Sequence, residues 1–137
     1  MKSIIAILLV LLIASSSCKK EGVLRTQSYN IVAQNSSGLT GTVTFKELTD
    51  ATQTQVDIQL QHTIWNSRYI CHIHDGPPTG YHIASFGFES YAVGNNFSYQ
   101  KNIVVSYDSA IHYDGTFVVH DSTGIQLLAK CGIGKNG

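Results

Sequence analysis

Apolar residues recur at every second position along most of this chain, and that period admits strands and little else. Val56-Asp-Ile-Gln-Leu-Gln61 is the clearest stretch: Val56, Ile58 and Leu60 share one face while Asp57, Gln59 and Gln61 share the other. A helix would scatter these side chains around its axis, whereas successive Cβ atoms of a strand point to opposite faces. Gly41-Thr-Val-Thr-Phe-Lys-Glu47 repeats the pattern with Val43 and Phe45, and residues 68–74, 83–88, 97–105 and 116–120 continue it. Turn formers separate these segments at 35–38, 48–53, 76–80 and 94–96. Short strands at this spacing predict an all-β Greek-key sandwich or barrel of about 7–8 strands. Residues 108–113 predict one helical turn before Asp114-Gly115. Trp65, Tyr69, Tyr81 and Phe86 are assigned to the core or its rim.

The 137 residues suffice for one such domain, and no internal repeat divides them. Nine basic side chains balance nine acidic ones, and only 13% of positions are charged. A nucleic-acid partner is not expected, because it would call for a basic excess or stripe. The 43% hydrophobic content excludes a disordered chain. There is no glycine-rich phosphate loop, no Gly-x-Ser-x-Gly elbow, and no acid pair spaced for general acid–base chemistry.

The N-terminus has a different logic. Lys2 precedes an unbroken apolar run of eleven residues, 4–14, followed by Ser15-Ser16-Ser17-Cys18 and then Lys19-Lys20-Glu21. The run is too short to span a bilayer but fits the apolar part of a secretory signal. Small residues before a cysteine look like a bacterial lipoprotein signal. On that reading residues 1–17 are removed, Cys18 carries the lipid, 18–28 form a tether, and 29–137 form the domain. The protein would then be exported and anchored to a membrane, in the periplasm or at the cell surface. An ordinary cleaved signal with Cys18 incidental is the alternative, and it too implies export. Cys71 and Cys131 remain as an even pair in an oxidising compartment. They either form a disulfide, closing a loop worth roughly 4 kcal/mol in the loop-entropy picture, or stay as two buried thiols.

Six histidines are distributed unevenly. In Cys71-His72-Ile73-His74-Asp75, a strand would project His72 and His74 from one face and turn Cys71 and Ile73 to the other. Two imidazoles about 7 Å apart along one face can share a metal ion, and copper suits imidazole nitrogen. His120 ends the apolar segment Thr116-Phe-Val-Val-His120 and could add a third ligand from a neighbouring strand. His82, just past the Gly/Pro-rich segment, could add a fourth. The alternative is that these histidines hydrogen-bond at the mouth of the sandwich. His62 continues the inward register of Val56, Ile58 and Leu60 and is read as a partly buried strand-end residue, and His112 as a solvated turn residue.

Taken together, His72-Ile-His74, Phe117-Val-Val-His120-Asp and Leu127-Leu-Ala-Lys-Cys131-Gly-Ile-Gly resemble the copper–zinc superoxide dismutase pattern. Residues 38–136 look still more like small bacterial lipoproteins with a chordin-type (CHRD) domain, through Gly41-Thr-Val-Thr-Phe45, His72-Ile-His74, the 114–120 segment and Gly132-Ile-Gly-Lys-Asn136. The dismutase resemblance implies His72, His74 and His120 as copper ligands and His82 as the residue that bridges copper to zinc in that family. Only seven residues separate His74 from His82, further zinc ligands have no counterparts before His112, Cys71 precedes the His-x-His where the family's disulfide partner follows it, and Leu128 replaces the guiding arginine. Zinc is therefore not expected. The resulting expectation is an exported, lipid-anchored CHRD-like binding domain, with or without copper. A copper-only superoxide dismutase is the alternative enzyme, and purely structural histidines are the third reading.

Overall fold

The computed structural model describes residues 24–78, 88–91 and 95–137. The signal segment 1–17, Cys18, residues 18–23 of the tether, Tyr81, His82, Phe86 and all but the last residue of the expected strand 83–88 lie outside the described residues. Within them the alternating segments form β2 (Thr40–Glu47), β3 (Thr54–Gln61), β4 (Arg68–Asp75), β6 (Asn96–Ile103) and β7 (Gly115–His120), and the structure adds β1 (Thr26–Ala33), β5 (Phe88–Tyr91) and β8 (Leu127–Ile133). One short helix, α1 (Tyr107–Ile111), follows β6, and a 3-10 turn at Gly134–Asn136 follows β8. Ser106 caps α1 by accepting the Ser109 N–H at 3.3 Å. Among the described residues no helix is long and apolar enough to cross a membrane.

The strands pair antiparallel in one sheet of order β5-β4-β7-β8-β1-β2-β3-β6. The neighbours β3–β6 and β4–β7 are not consecutive in the chain, so the connections cross over as they do in Greek-key arrangements. The sheet curls until its outermost strands, β5 and β6, have backbone positions within 8 Å. The fold is thus the all-β sandwich or barrel that the alternation predicts. Among the described residues its interior is filled by apolar strand side chains that include Val43, Phe45, Val56, Ile58, Leu60, Phe97, Phe117, Val119 and Ile133. Gly41 in β2 is required by close approach, since a Cβ there would run into the Gln59 carbonyl of β3.

Four details depart from the sequence expectations. Ordered structure starts before Tyr29: Thr26 already pairs with Lys46 of β2, inside the stretch assigned to the tether. His62 is exposed rather than inward, because its φ of +61° ends the strand alternation. Trp65 is 71% exposed at the tip of a tight turn in which Ser67 N–H donates to the Ile64 carbonyl and Asn66 has φ +58°.

The fourth departure is the disulfide. Cys71 and Cys131 are separate, buried thiols. They sit on β4 and β8, the two strands flanking β7, where Cys71 opposes Val119 and Cys131 opposes Phe117. Two strand spacings plus two residues of stagger place their Cα atoms roughly 12 Å apart, about twice what a disulfide tolerates. Burial raises both thiols, Cys131 to about 12 and Cys71 further still, so neither supplies a nucleophilic thiolate near neutral pH. Iodoacetamide should leave both unmodified in the folded protein and label both after denaturation, as read by peptide mass spectrometry. Labelling of either in the native state would contradict this packing.

One polar network ties the ends of three elements. Arg25, just before β1, donates to Glu47 at the end of β2 at 2.8 and 2.9 Å and to Asp108 of α1 at 2.7 Å. Its guanidinium also lies 4.7 Å from the centroid of the Tyr107 ring. The side-chain and backbone hydrogen bonds from Arg25 hold the Glu47 carboxyl down from 4.5 to about 2. A lowered folded-state value means the contribution is present above pH 4.5 and is lost as pH falls through about 2. Glu47→Gln should therefore flatten the acid limb of the stability curve in that window, measured by circular dichroism, and leave the neutral-pH fold intact.

Candidate metal centre

The site begins with the alternation of β4. Tyr69, Cys71 and Ile73 turn into the core, so Ile70, His72 and His74 share the outer face of the sheet. On β7, Phe117 and Val119 are the inward residues, which leaves Thr116, Val118 and His120 on the outer face. The register then decides who meets whom. His72 opposes Val118, His74 opposes Thr116, and His120 opposes Ile70. His120 and His72 are therefore diagonal neighbours across two paired strands, within reach of long side chains. A shift in the β7–β8 pairing between Val119 and His120 marks an irregularity at this end of β7.

The three imidazoles converge. Each offers a ring nitrogen within 4.8 Å of the others. Nε2 of His72 and Nε2 of His74 are 2.8 Å apart, and the His72 and His120 rings stack with centroids 4.9 Å apart and planes at 21°. The His74 and His120 ring centroids are 6.5 Å apart. All three residues are partly buried, on a floor made by Val118, which is fully buried, and Thr116, which is nearly so.

Two ring nitrogens at 2.8 Å must share something positive, since facing lone pairs or facing N–H groups repel. A single proton does this, and so does a cation. Donors about 2.0–2.1 Å from a metal and at right angles to one another lie about 2.9 Å apart, so the His72–His74 separation fits two ligands of one ion. The third nitrogen, within 4.8 Å, needs only a modest side-chain adjustment to join them. The residues present thus fit a small metal ion held by imidazole.

The donor set is all nitrogen. Cys71 faces the core and is unavailable as a thiolate. The carboxylates next in sequence have other partners: Asp75 Oδ1 accepts from the Tyr113 hydroxyl at 3.1 Å, and Asp121 Oδ1 accepts from the Thr123 hydroxyl at 2.7 Å. That interaction with the Thr123 hydroxyl is the main cause holding the Asp121 carboxyl below its usual range. Three neutral imidazoles suit copper, zinc, nickel or iron.

Of the four histidines expected at the site, His72, His74 and His120 come together, and His82 lies outside the described residues. His112 is an exposed helix-end residue whose Nδ1 lies 2.8 Å from the Asp108 carbonyl oxygen, and His62 is an exposed residue just past β3 with its Nδ1 3.4 Å from the Thr40 hydroxyl. Sequence reasoning missed Val118 and Thr116 as the floor between the ligands. Their place in the Thr116-Phe-Val-Val-His120 alternation puts them on the face of His120, which was the available signal. Searches of protein-family models, curated proteins and solved structures found no match to the chain.

His62→Ala and His112→Ala should leave metal uptake unchanged, whereas His74→Ala should weaken it at least tenfold, read by competition with a chromophoric chelator. Equal affinity in all three variants would rule out the cluster as the binding site.

Proposed function

We propose that this chain is an exported, lipid-anchored domain of chordin (CHRD) type that binds one copper ion through His72, His74 and His120. The observation that carries the reading is the convergence of these three imidazoles from β4 and β7 on one outer face. The all-nitrogen donor set accepts copper, and the general affinity order of divalent metals ranks copper above zinc, nickel and iron at such a site. The resemblance of residues 38–136 to CHRD lipoproteins supports the family, and the apolar run ending at Cys18 supports the lipid anchor. His82 is the proposed fourth ligand.

The chain's own contribution is positional. Strand pairing between β4 and β7 holds the backbones of the ligands, so only the side chains adjust on binding. Val118 beneath them is fully buried, which closes the site on its inner side and leaves approach from solvent on the outer side. His72, His74 and His120 would hold a copper ion that supplies a one-electron couple; the alternative reading is a copper-only superoxide dismutase, whose overall reaction takes two superoxides and two protons to dioxygen and hydrogen peroxide. The partly exposed position of the three histidines favours this as the second reading.

Metal analysis of the purified protein should find about one copper per chain, lost in the His72→Ala/His120→Ala double variant. The same uptake by wild type and double variant would overturn the site. His82→Ala should shift the copper paramagnetic resonance spectrum without abolishing uptake. Superoxide consumption by the loaded protein then separates the two readings: rates no faster than free copper exclude the enzyme.

A further inference from the structure

The seam between β1 and β8 is only partly closed. The two strands pair in register at Val32–Lys130 and Ala33–Ala129, and Gln34 N–H donates to the Leu128 carbonyl at 2.7 Å just beyond. Continuing that register would pair Asn30 with Gly132 and Ser28 with Gly134, but these pairings do not form. The direction of the backbone groups follows from alternation. Glu47 N–H donates to the Arg25 carbonyl, so Arg25, Gln27, Tyr29 and Ile31 direct their groups toward β2. Ser28 and Asn30 therefore direct theirs toward β8, and Gly132 directs its own toward β1.

A groove of about 1130 Å³ follows this seam. Ser28 and Asn30 line one wall, Lys130 and Gly132 the other, and Pro77 and Lys135 its rim. Tyr29 closes the inner side, accepting the Gly134 N–H at 3.3 Å and donating to the Ile111 carbonyl at 3.2 Å. The described lining residues include Lys130, Lys135 and His112 but no aspartate or glutamate. Lys135 has Asp114 at 3.9 Å, with both side chains at least half exposed, a spacing that leaves the ammonium available to another anion.

We infer that the β1–β8 seam binds an extended acidic peptide, added as a strand against the backbone groups of Ser28 and Asn30 with its carboxylates on Lys130 and Lys135. Backbone groups that point into a groove are what strand addition uses for affinity, and side-chain pockets give selectivity. The lysines supply the preference for negative charge. The seam is on a different strand pair from His72, His74 and His120, and although Thr116 lines both the groove and the histidine site, the strand addition and the lysine contacts use no imidazole.

The probe is the blocked hexapeptide acetyl-Glu-Val-Glu-Val-Glu-Val-amide, titrated into the full chain and followed by amide hydrogen exchange. The expected result is saturable binding with at least tenfold slower exchange at Ser28, Asn30 and Gly132. The same peptide N-methylated at alternate residues should not bind, because its charge is kept while its strand-edge donors are lost. Lys130→Glu/Lys135→Glu should weaken the acidic peptide at least tenfold. Asn30→Pro removes one seam donor without touching the β2 ladder and should also weaken it, with an unchanged melting temperature as the control for folding. Equal binding of the N-methylated peptide, or protection away from these three amides, overturns the proposal. A concentration-dependent dimer that protects the same amides without peptide would assign the seam to a second copy and likewise overturn it.

Discussion

β4 and β7 meet in an antiparallel register that sets Cys71 against Val119 and Ile73 against Phe117. All four of those side chains are buried, so the pairing is fixed by the core and not by the residues outside it. A slip of one position would turn the buried set outward and bring polar imidazoles into the interior, at a cost of several kcal/mol. The histidine cluster is therefore a consequence of core packing. Once the inner faces of the two strands are satisfied, His72 and His120 have to be diagonal neighbours on the outer face.

The same register explains the two cysteines. Both belong to the inner face, and β7 stands between the strands that carry them. They serve as small apolar residues in the core, consistent with the buried environment that raises both thiols. A pairing rule based on counting cysteines has no access to the strand that intervenes. That is why the bridge looked reasonable from sequence and is absent from the fold.

At the other end of the barrel, the fold is tied together by charge. Arg25 joins the start of β1, the end of β2 and α1 through two carboxylates and one aromatic ring. The network is exposed, so screening keeps its worth small. It sits where β1 enters the sheet. From that entry β1 runs beside β2 from Thr26 onward and pairs with β8 only at Val32 and Ala33, which leaves the β1–β8 seam partly open.

Most strands were legible because their alternation is local: Val56, Ile58 and Leu60 announce β3 without help from the rest of the chain. The shared face of His72 and His74 was legible for the same reason, and the helical turn expected at 108–113 forms at 107–111. Where a left-handed backbone intervenes, local patterning fails. His62 and Trp65 left the expected faces because His62 itself, and Asn66 beside Trp65, have positive φ values. The sequence by itself thus determined an all-β chain, the inner and outer faces of the clearly alternating strands β2, β3 and β4, and four histidines, His82 among them, as candidates for one site. Only the tertiary structure decided that β7 lies between β4 and β8, which brings His120 beside His72 while holding Cys71 and Cys131 apart. Strand order and register depend on contacts between residues distant in the chain, and a period of two records which way a side chain points but not which strand it faces.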